Sequence, residues 1–237
     1  MKIINNKTKK AIITGATSGI GLSIAQIFLE RGHDVFLCGR NQDKLNKIIN
    51  TFTDIYGINR VDGCLCDVSE LSSVEQMIKK ANLFLGVIDV LVNNAGAAYI
   101  KNFENLPPEQ WNEMINTNLT GVFNCCHVVL PYLKEKGGDI INIGSRSGRY
   151  AIKGGVGYNA SKFGIQGFTE ALFLDLNHYG IRVSLVAPGT VSTGFGNTTG
   201  ENWHLLPEDV AKVVSDIIEA DLRATINWVE LRPSKPK

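Results

Sequence analysis

The sequence Thr14-Gly15-Ala16-Thr17-Ser18-Gly19-Ile20-Gly21 joins a short β-branched run, AIIT at 11–14, to a segment of helical periodicity that begins at Ile20. In such a strand-to-helix turn, Gly15 permits the tight bend, Gly19 lets the backbone approach a diphosphate, and Gly21 lets the helix pack against the sheet. The helix N-terminus adds N–H donors and the positive end of a dipole. No Lys follows the last glycine, which argues against a Walker-type loop. The turn predicts a phosphate-bearing ligand, and an ordinary glycine-rich turn remains the alternative.

The same alternation of strand and helix continues along the whole chain. The predicted strands are 11–14, 34–38, 61–66, 88–92, 139–143, 181–187 and 224–231. The predicted helices are 20–30, 44–52, 74–84, 108–136, 158–179 and 207–220. Alternating βα units predict an α/β fold, a doubly wound Rossmann-type seven-stranded parallel sheet flanked by helices on both faces. In such sheets ligands bind at the carboxyl ends of the strands.

Length and composition limit the class of protein. A chain of 237 residues allows one large or two small domains, and no linker, repeat or composition break divides it, so a single domain over 1–237 is predicted. Hydrophobic residues make up 44% and charged residues 20%, which is typical of a globular chain with a core. Because 24 Lys and Arg face 23 Asp and Glu, the broad basic face of a nucleic-acid-binding protein is not expected.

Cysteine usage and hydropathy indicate the compartment. The five cysteines are odd in number, lack CxxC spacing and lie mostly in apolar runs, which favours buried thiols in a reducing environment. No metal site is predicted from this pattern. The basic start of the chain is followed by an apolar run too short for a signal sequence, and no run reaches the ~18 residues of a membrane span. We expect a cytoplasmic protein without a membrane partner.

The end of the second predicted strand reads Cys38-Gly39-Arg40-Asn41. A site for NAD usually places a carboxylate here for the ribose hydroxyls, whereas an Arg suits the 2′-phosphate of NADP. The sequence has Arg40 and no carboxylate, and a guanidinium pairs bidentately with phosphate. NADP(H) is therefore favoured, with a solvated loop arginine as the alternative.

Acid–base chemistry is indicated by Tyr158-Asn159-Ala160-Ser161-Lys162 near a predicted helix start. A spacing of four residues puts the phenol of Tyr158 and the ammonium of Lys162 on one helix face. The reference pKa of a phenol is near 10, and a neighbouring cation favours the phenolate. Taken alone, such a pair is more often an ordinary helix surface.

Two further polar residues stand at informative places. Ser145 follows the fifth predicted strand, where its hydroxyl is able to bond a carbonyl oxygen. Asn118 interrupts a long helical pattern, where a kink or a bound water would explain it. Each has a simpler interpretation as a turn or capping residue.

Together these motifs resemble the short-chain dehydrogenase/reductase family, in its compact single-domain branch with GxxxGxG spacing. The resemblance extends from about Lys10 to Thr193, in the family's order and spacing. It rests on TGATSGIG (14–21), Asp67-Val68, NNAG (93–96), NTNLTG (116–121), NIGSRSG (142–148), YNASK (158–162) and PGTVST (188–193).

The resemblance implies four catalytic residues. Tyr158 is the expected general acid/base, and Ser145 is expected to position the substrate oxygen. Lys162 is expected to lower the pKa of Tyr158 and to bind the nicotinamide ribose, while Asn118 is expected to hold a water in the proton relay.

The resemblance also implies the cofactor-binding set. Its members are expected to hold the diphosphate, the adenosine with its ribose, the 2′-phosphate and the nicotinamide. They are Gly15, Thr17, Ser18, Gly19, Ile20, Gly21, Arg40, Asn41, Asp67, Val68, Asn94, Ala95, Gly96, Tyr158, Lys162, Pro188, Gly189, Val191 and Thr193.

The implied activity is reversible NADPH-dependent reduction of a ketone or aldehyde to an alcohol. The C-terminal sequence favours a carbonyl reductase over the alternative, a 3-oxoacyl-thioester (acyl carrier protein) reductase. A catalytically silent NADP-binding sensor is a third interpretation, which the presence of all four catalytic residues disfavours. The expected partner is a small carbonyl or alcohol substrate, covered by a short lid at about 194–207. A homodimer or homotetramer is expected, with the Asn118 and Tyr158 helices at a subunit interface.

Overall fold

The computed structural model of the protein describes residues 8–197 and 200–235. Its centre is one sheet of seven parallel strands: β1 (Lys10–Ile13), β2 (Asp34–Gly39), β3 (Val61–Leu65), β4 (Val90–Asn93), β5 (Gly138–Ile143), β6 (Ile181–Pro188) and β7 (Trp228–Leu231). The strand order is β3-β2-β1-β4-β5-β6-β7. The direction of winding reverses between β1 and β4, which is where a doubly wound sheet opens its ligand crevice.

Helices cover both faces of this sheet, as the alternating pattern predicted. They are α1 (Gly19–Glu30), α2 (Gln42–Tyr56), α3 (Leu71–Leu85), α4 (Pro108–Ile115), α5 (Gly121–Lys134), α6 (Val156–Leu176) and α7 (Pro207–Glu219). Side chains of α1, α2 and α7 pack on one face with Ile13 and Leu37, and those of α3, α5 and α6 pack on the other with Ile12 and Phe36. Adjacent strand residues point to opposite faces, so each strand contributes to both cores.

Two predicted elements differ from those observed. The predicted helix 108–136 is helical from Pro108 to Lys134, but a turn of π-helix at Asn116–Thr120 divides it into α4 and α5. Such turns widen the helix by one residue and are frequent at functional sites. The last strand begins at Trp228 rather than at residue 224, and β7 pairs only with the part of β6 from Leu185 to Pro188.

A buried chain of amides fixes α6 relative to the sheet. Asn93 Nδ2 on β4 donates to Asn142 Oδ1 on β5 at 2.9 Å, and Asn142 Nδ2 donates to Thr169 Oγ1 on α6 at 2.9 Å. Buried polar groups are costly unless they are paired in this way. These hydrogen bonds hold α6, which carries Tyr158 and Lys162, against the centre of the sheet. Among the described helices, none is long and apolar enough to cross a membrane.

Candidate active site

A cavity of about 900 Å³ lies at the carboxyl ends of the strands. It brings together nearly all of the residues that the sequence singled out. Those in its lining are Gly15, Thr17, Ser18, Gly19, Ile20, Arg40, Asn41, Asp67, Val68, Asn94, Ala95, Gly96, Ser145, Tyr158, Lys162, Pro188, Gly189, Val191 and Thr193. Gly21 and Asn118 do not line the cavity but lie directly behind residues that do.

The glycine-rich turn is shaped by contacts that a Cβ atom would prevent. Gly15 and Gly19 have φ of +63° and +53°, in the left-handed region that favours glycine. A Cβ on Gly21 would lie 2.4 Å from Asn94 Nδ2 and 2.5 Å from the Gly15 carbonyl oxygen. The space at Gly21 is thus needed by the Asn94 amide and the turn itself. Ser18, at the N-terminus of α1, makes no side-chain cap, which leaves the first N–H groups of the helix for a ligand.

Thr14 and Asn94 lock this turn to the end of β4. The Thr14 hydroxyl accepts hydrogen bonds from the Asn94 and Ala95 backbone N–H groups at 2.9 and 3.0 Å. Asn94 Nδ2 donates to the carbonyls of Thr14 and Gly15 at 3.0 and 3.1 Å. The sequence pattern did not single out Thr14 as a site residue, and its one signal was a hydroxyl residue directly before the first glycine.

Two cations lie beside the cavity, Arg40 directly after β2 and Lys44 in the first turn of α2. Arg40 Nη1 lies 3.3 Å from Glu113 Oε1 on α4, and Glu113 Oε2 accepts a hydrogen bond from the Tyr99 hydroxyl at 2.6 Å. Asn41 Oδ1 caps α2 by accepting from the Lys44 backbone N–H at 2.9 Å, so its side chain has a structural role. Lys44 also lines the cavity, although the sequence analysis did not identify it.

Ser145, Tyr158 and Lys162 meet near the centre of the cavity. Ser145 follows β5, and its Oγ accepts from the Ser147 backbone N–H at 3.1 Å. Burial raises the pKa of Tyr158, and a hydrogen bond with Ser145 opposes that rise. The phenol is therefore protonated at neutral pH.

Lys162 is buried and adjacent to that phenol. Its Nζ donates to the Ile143 carbonyl at 3.0 Å and lies 5.8 Å from the centroid of the Tyr158 ring. Burial lowers the pKa of Lys162 to about 8, since desolvation disfavours the ammonium. The influence of Lys162 on the pKa of Tyr158 stays a prediction, because the causes acting on Tyr158 in this structure are burial and Ser145.

Asn118 lies within the π-helical turn, which explains why an asparagine interrupts the helical pattern there. Its Oδ1 accepts from the Ala97 N–H at 2.7 Å, and its Nδ2 donates to the Ala97 carbonyl and to Ser161 Oγ, both at 2.9 Å. The side chain thus ties the segment after β4 to α6. The side-chain amide of Asn118 is therefore fully engaged by protein groups.

Aromatic and apolar side chains line the cavity around Tyr158. The Phe195 ring lies 6.3 Å from the Tyr158 ring, and Tyr150 and Ile152 share the cavity lining. Trp203 lines a second cavity, of about 740 Å³. Residues 198 and 199 of the predicted lid lie outside the described residues. Within the described ranges, no group of three or more His, Cys, Asp or Glu side chains is placed to hold a metal ion.

The fold and the site define a dinucleotide-dependent oxidoreductase. The short chain dehydrogenase family model matches residues 9–203, and the chain belongs to that family. It is 36% identical over 188 residues to the 3alpha-hydroxysteroid dehydrogenase of Mediterraneibacter gnavus, covering 79% of this chain and 75% of that one.

Solved structures of similar proteins have the same overall fold. The alcohol dehydrogenase from the archaeon Thermococcus sibiricus, complexed with 5-hydroxy-NADP, matches with a TM-score of 0.91 and 31% identity over 98% of this chain and 100% of that one. A single-residue variant of the actinorhodin polyketide ketoreductase with NADPH matches with a TM-score of 0.87 and 31% identity over 98% of each chain.

Proposed function

We propose that this protein catalyses the reversible NADP(H)-dependent reduction of a ketone or aldehyde to an alcohol. The observation that carries the proposal is the meeting of Ser145, Tyr158 and Lys162 in one cavity with the uncapped N-terminus of α1. A proton donor and a dinucleotide-binding turn at one site suit hydride transfer coupled to proton transfer.

The residues present fit NADP(H). The positive-φ glycines and the free N–H groups of α1 suit the diphosphate, and Arg40 with Lys44 suits the 2′-phosphate, because no carboxylate ends β2. The solved relatives with NADP derivatives or NADPH support the same choice. When bound, NADPH supplies the hydride that reduces the carbonyl carbon.

Side chains of the protein supply the proton to the substrate and orient its carbonyl group. Ser145 and Tyr158 donate hydrogen bonds to the substrate carbonyl oxygen, and Tyr158 gives up its proton as negative charge develops there. The ammonium of Lys162, charged below its pKa of about 8, stabilises the resulting phenolate. We assign the water-holding role to the main chain of Asn118, because its side chain is engaged by Ala97 and Ser161.

Reduction of a 3-oxoacyl thioester is the second candidate. It is favoured by the similarity to the actinorhodin ketoreductase and to the granaticin polyketide synthase putative ketoacyl reductase 1 of Streptomyces violaceoruber, which is 38% identical over 196 residues. Both candidates use the same four residues and differ only in the substrate. A silent NADP-binding sensor would not need the buried Lys162 beside Tyr158.

The test of this proposal is NADPH oxidation by the purified protein with ketones, aldehydes and an acetoacetyl thioester. Tyr158→Phe keeps the ring but lacks the proton, so we expect turnover to fall by a factor of about 10² to 10⁴. NADPH binding, followed by fluorescence titration, should remain. Tyr179→Phe, in the turn after α6 and outside the cavity lining, is the matched control and should retain activity. Full activity of Tyr158→Phe would contradict the assignment.

The domain organisation, the lid, the compartment and the oligomeric state of the enzyme are also proposals. We propose one domain whose lid at about 194–207 covers the substrate, and a cytoplasmic homo-oligomer. Phe123 on α5 and Phe163 on α6 are about half exposed. Phe123 lies one helical turn after Leu119, and Phe163 directly precedes Gly164, which approaches Leu119 closely. We propose that this apolar surface of the two helices faces a second subunit.

A further inference from the structure

One cation in the cavity has no role in the chemistry described so far. The lining residues with a charged side chain are Arg40, Lys44, Asp67, Arg146 and Lys162. The first three lie at the β2 and β3 end of the cavity, and Lys162 belongs to the catalytic cluster. Arg146 is left, directly after Ser145 in the chain.

Arg146 and its neighbours make the rim around Tyr150 positive. The guanidinium carbons of Arg146 and Arg149 lie 5.0 and 5.8 Å from the centroid of the Tyr150 ring. Within the described part of the chain, neither arginine is within ion-pair distance of a carboxylate. Arg232 lies 5.5 Å from the same ring and is paired with Glu230. Three guanidinium groups and one carboxylate leave a net charge of +2 around the Tyr150 ring, and Arg146 is the one of these charged groups that lines the cavity.

These observations indicate a preference for an anionic substrate. An arginine stacked on an aromatic ring keeps its N–H edge free for other partners. Such an edge matches the two oxygens of a carboxylate and forms charge-assisted hydrogen bonds with them. Because Ser145, Arg146 and Tyr158 line the same cavity, one molecule is able to place its carbonyl at Ser145 and Tyr158 and its acid group at Arg146.

We propose, on the basis of the function proposed above, that the substrate is an oxo acid whose carboxylate is bound by Arg146 with the help of Arg149. In the reaction the carbonyl carbon accepts the hydride of NADPH and its oxygen accepts the proton of Tyr158, which solvent then replaces. The products are a hydroxy acid and NADP⁺. The carboxylate stays unchanged.

The experiment compares an oxo acid with its own methyl ester. With NADPH as reductant, kcat/KM is measured for 4-oxopentanoate and methyl 4-oxopentanoate. We expect the acid to be preferred by about tenfold or more, as is typical of a hydrogen bond to a charged group. Arg146→Gln should remove most of that preference while the KM for NADPH stays the same. Arg223→Gln, an exposed arginine paired with Asp221, is the matched control and should behave as the unaltered protein.

Further arms separate this inference from its alternatives. Equal rates for acid and ester, or an Arg146→Gln variant that loses both equally, would overturn it. A third outcome would also overturn it: no preference for the acid, together with an Arg146-dependent preference for acetoacetyl-coenzyme A over the neutral acetoacetyl N-acetylcysteamine thioester. In that case the anion bound by Arg146 would be a phosphate. Calorimetric titration of 4-oxopentanoate into the NADPH-loaded Tyr158→Phe protein, with and without Arg146→Gln, reports acid binding when turnover is absent. The proposed function and this inference are thus tested separately.

Discussion

Arg40 shows how a single side chain has both a structural partner and an expected ligand. Its guanidinium is exposed and lies 3.3 Å from Glu113, a distance at which a surface ion pair contributes less than about 1 kcal/mol. A 2′-phosphate carries more charge than a carboxylate and offers a bidentate partner. The phosphate should therefore outcompete Glu113, although the carboxylate remains nearby and repels it.

This repulsion predicts that Glu113→Gln tightens the binding of NADPH. We expect the KM for NADPH to fall by about threefold to fivefold, in keeping with the worth of one exposed charge pair, and the KM for NADH to change little. Steady-state kinetics with both cofactors measures the effect. Glu109→Gln, on the same helix and outside the cavity lining, is the control. Arg40→Asp should shift preference toward NADH, and a Glu113→Gln variant with weaker NADPH binding would show that Glu113 instead holds Arg40 in place.

At the scale of elements, the junction of β1, α1 and β4 depends on the absence of a side chain at Gly21. Gly21 lies in the first turn of α1, and the Asn94 amide occupies the position that a Cβ would take. Because Asn94 holds the carbonyls of Thr14 and Gly15, displacing it would move the turn that is expected to bind the diphosphate.

Gly21→Ala should therefore impair both stability and cofactor binding. We expect the free energy of unfolding to fall by about 1–3 kcal/mol, as for other overpacked sites, and NADPH affinity to fall with it. Urea unfolding and fluorescence titration measure the two effects. Gly167→Ala in α6 is the control, because no atom lies within 4 Å of its added Cβ, and it should stabilise the helix by up to about 1 kcal/mol. Unchanged NADPH binding by Gly21→Ala would contradict this account.

What the sequence predicts about the elements follows from the range of the interactions involved. The positions of β1 and α1, the glycine-rich turn and the Tyr158–Lys162 pair depend on local periodicity and spacing, and they appear where the pattern placed them. The π-helical turn at Asn116–Thr120 changes the hydrogen-bonding step within a continuous helical segment, so only Asn118 indicated it. The contacts of Asn94 with Thr14 and of Glu113 with Arg40 join residues distant in the sequence, so no local pattern indicated them.

On the scale of the whole molecule, the carboxyl ends of the strands form the active site, whereas a network at their amino ends stabilises the fold. At the amino ends of the strands, the buried carboxylate of Asp139 accepts from Lys9 Nζ and Arg182 Nε, both at 2.6 Å. Arg182 also donates to carbonyls at the end of α7 and just after it, including those of Ile218 and Ala220. The network joins β5, β6 and the end of α7 on the side opposite to the cavity.

Asp139→Asn tests this division. Removing one partner of a buried ion pair leaves Arg182 charged and uncompensated, so we expect the free energy of unfolding to fall by about 3–5 kcal/mol. At temperatures where the variant stays folded, kcat/KM for the carbonyl substrate should be unchanged, because the network does not contact the cavity lining. Urea unfolding and NADPH-oxidation kinetics on the same sample measure both quantities. Asp216→Asn, at an exposed pair with Arg31, should change stability by less than about 1 kcal/mol. A folded Asp139→Asn variant with reduced kcat/KM would contradict this division. It would mean that the two ends of the sheet are coupled through β5, whose carboxyl end leads directly to Ser145.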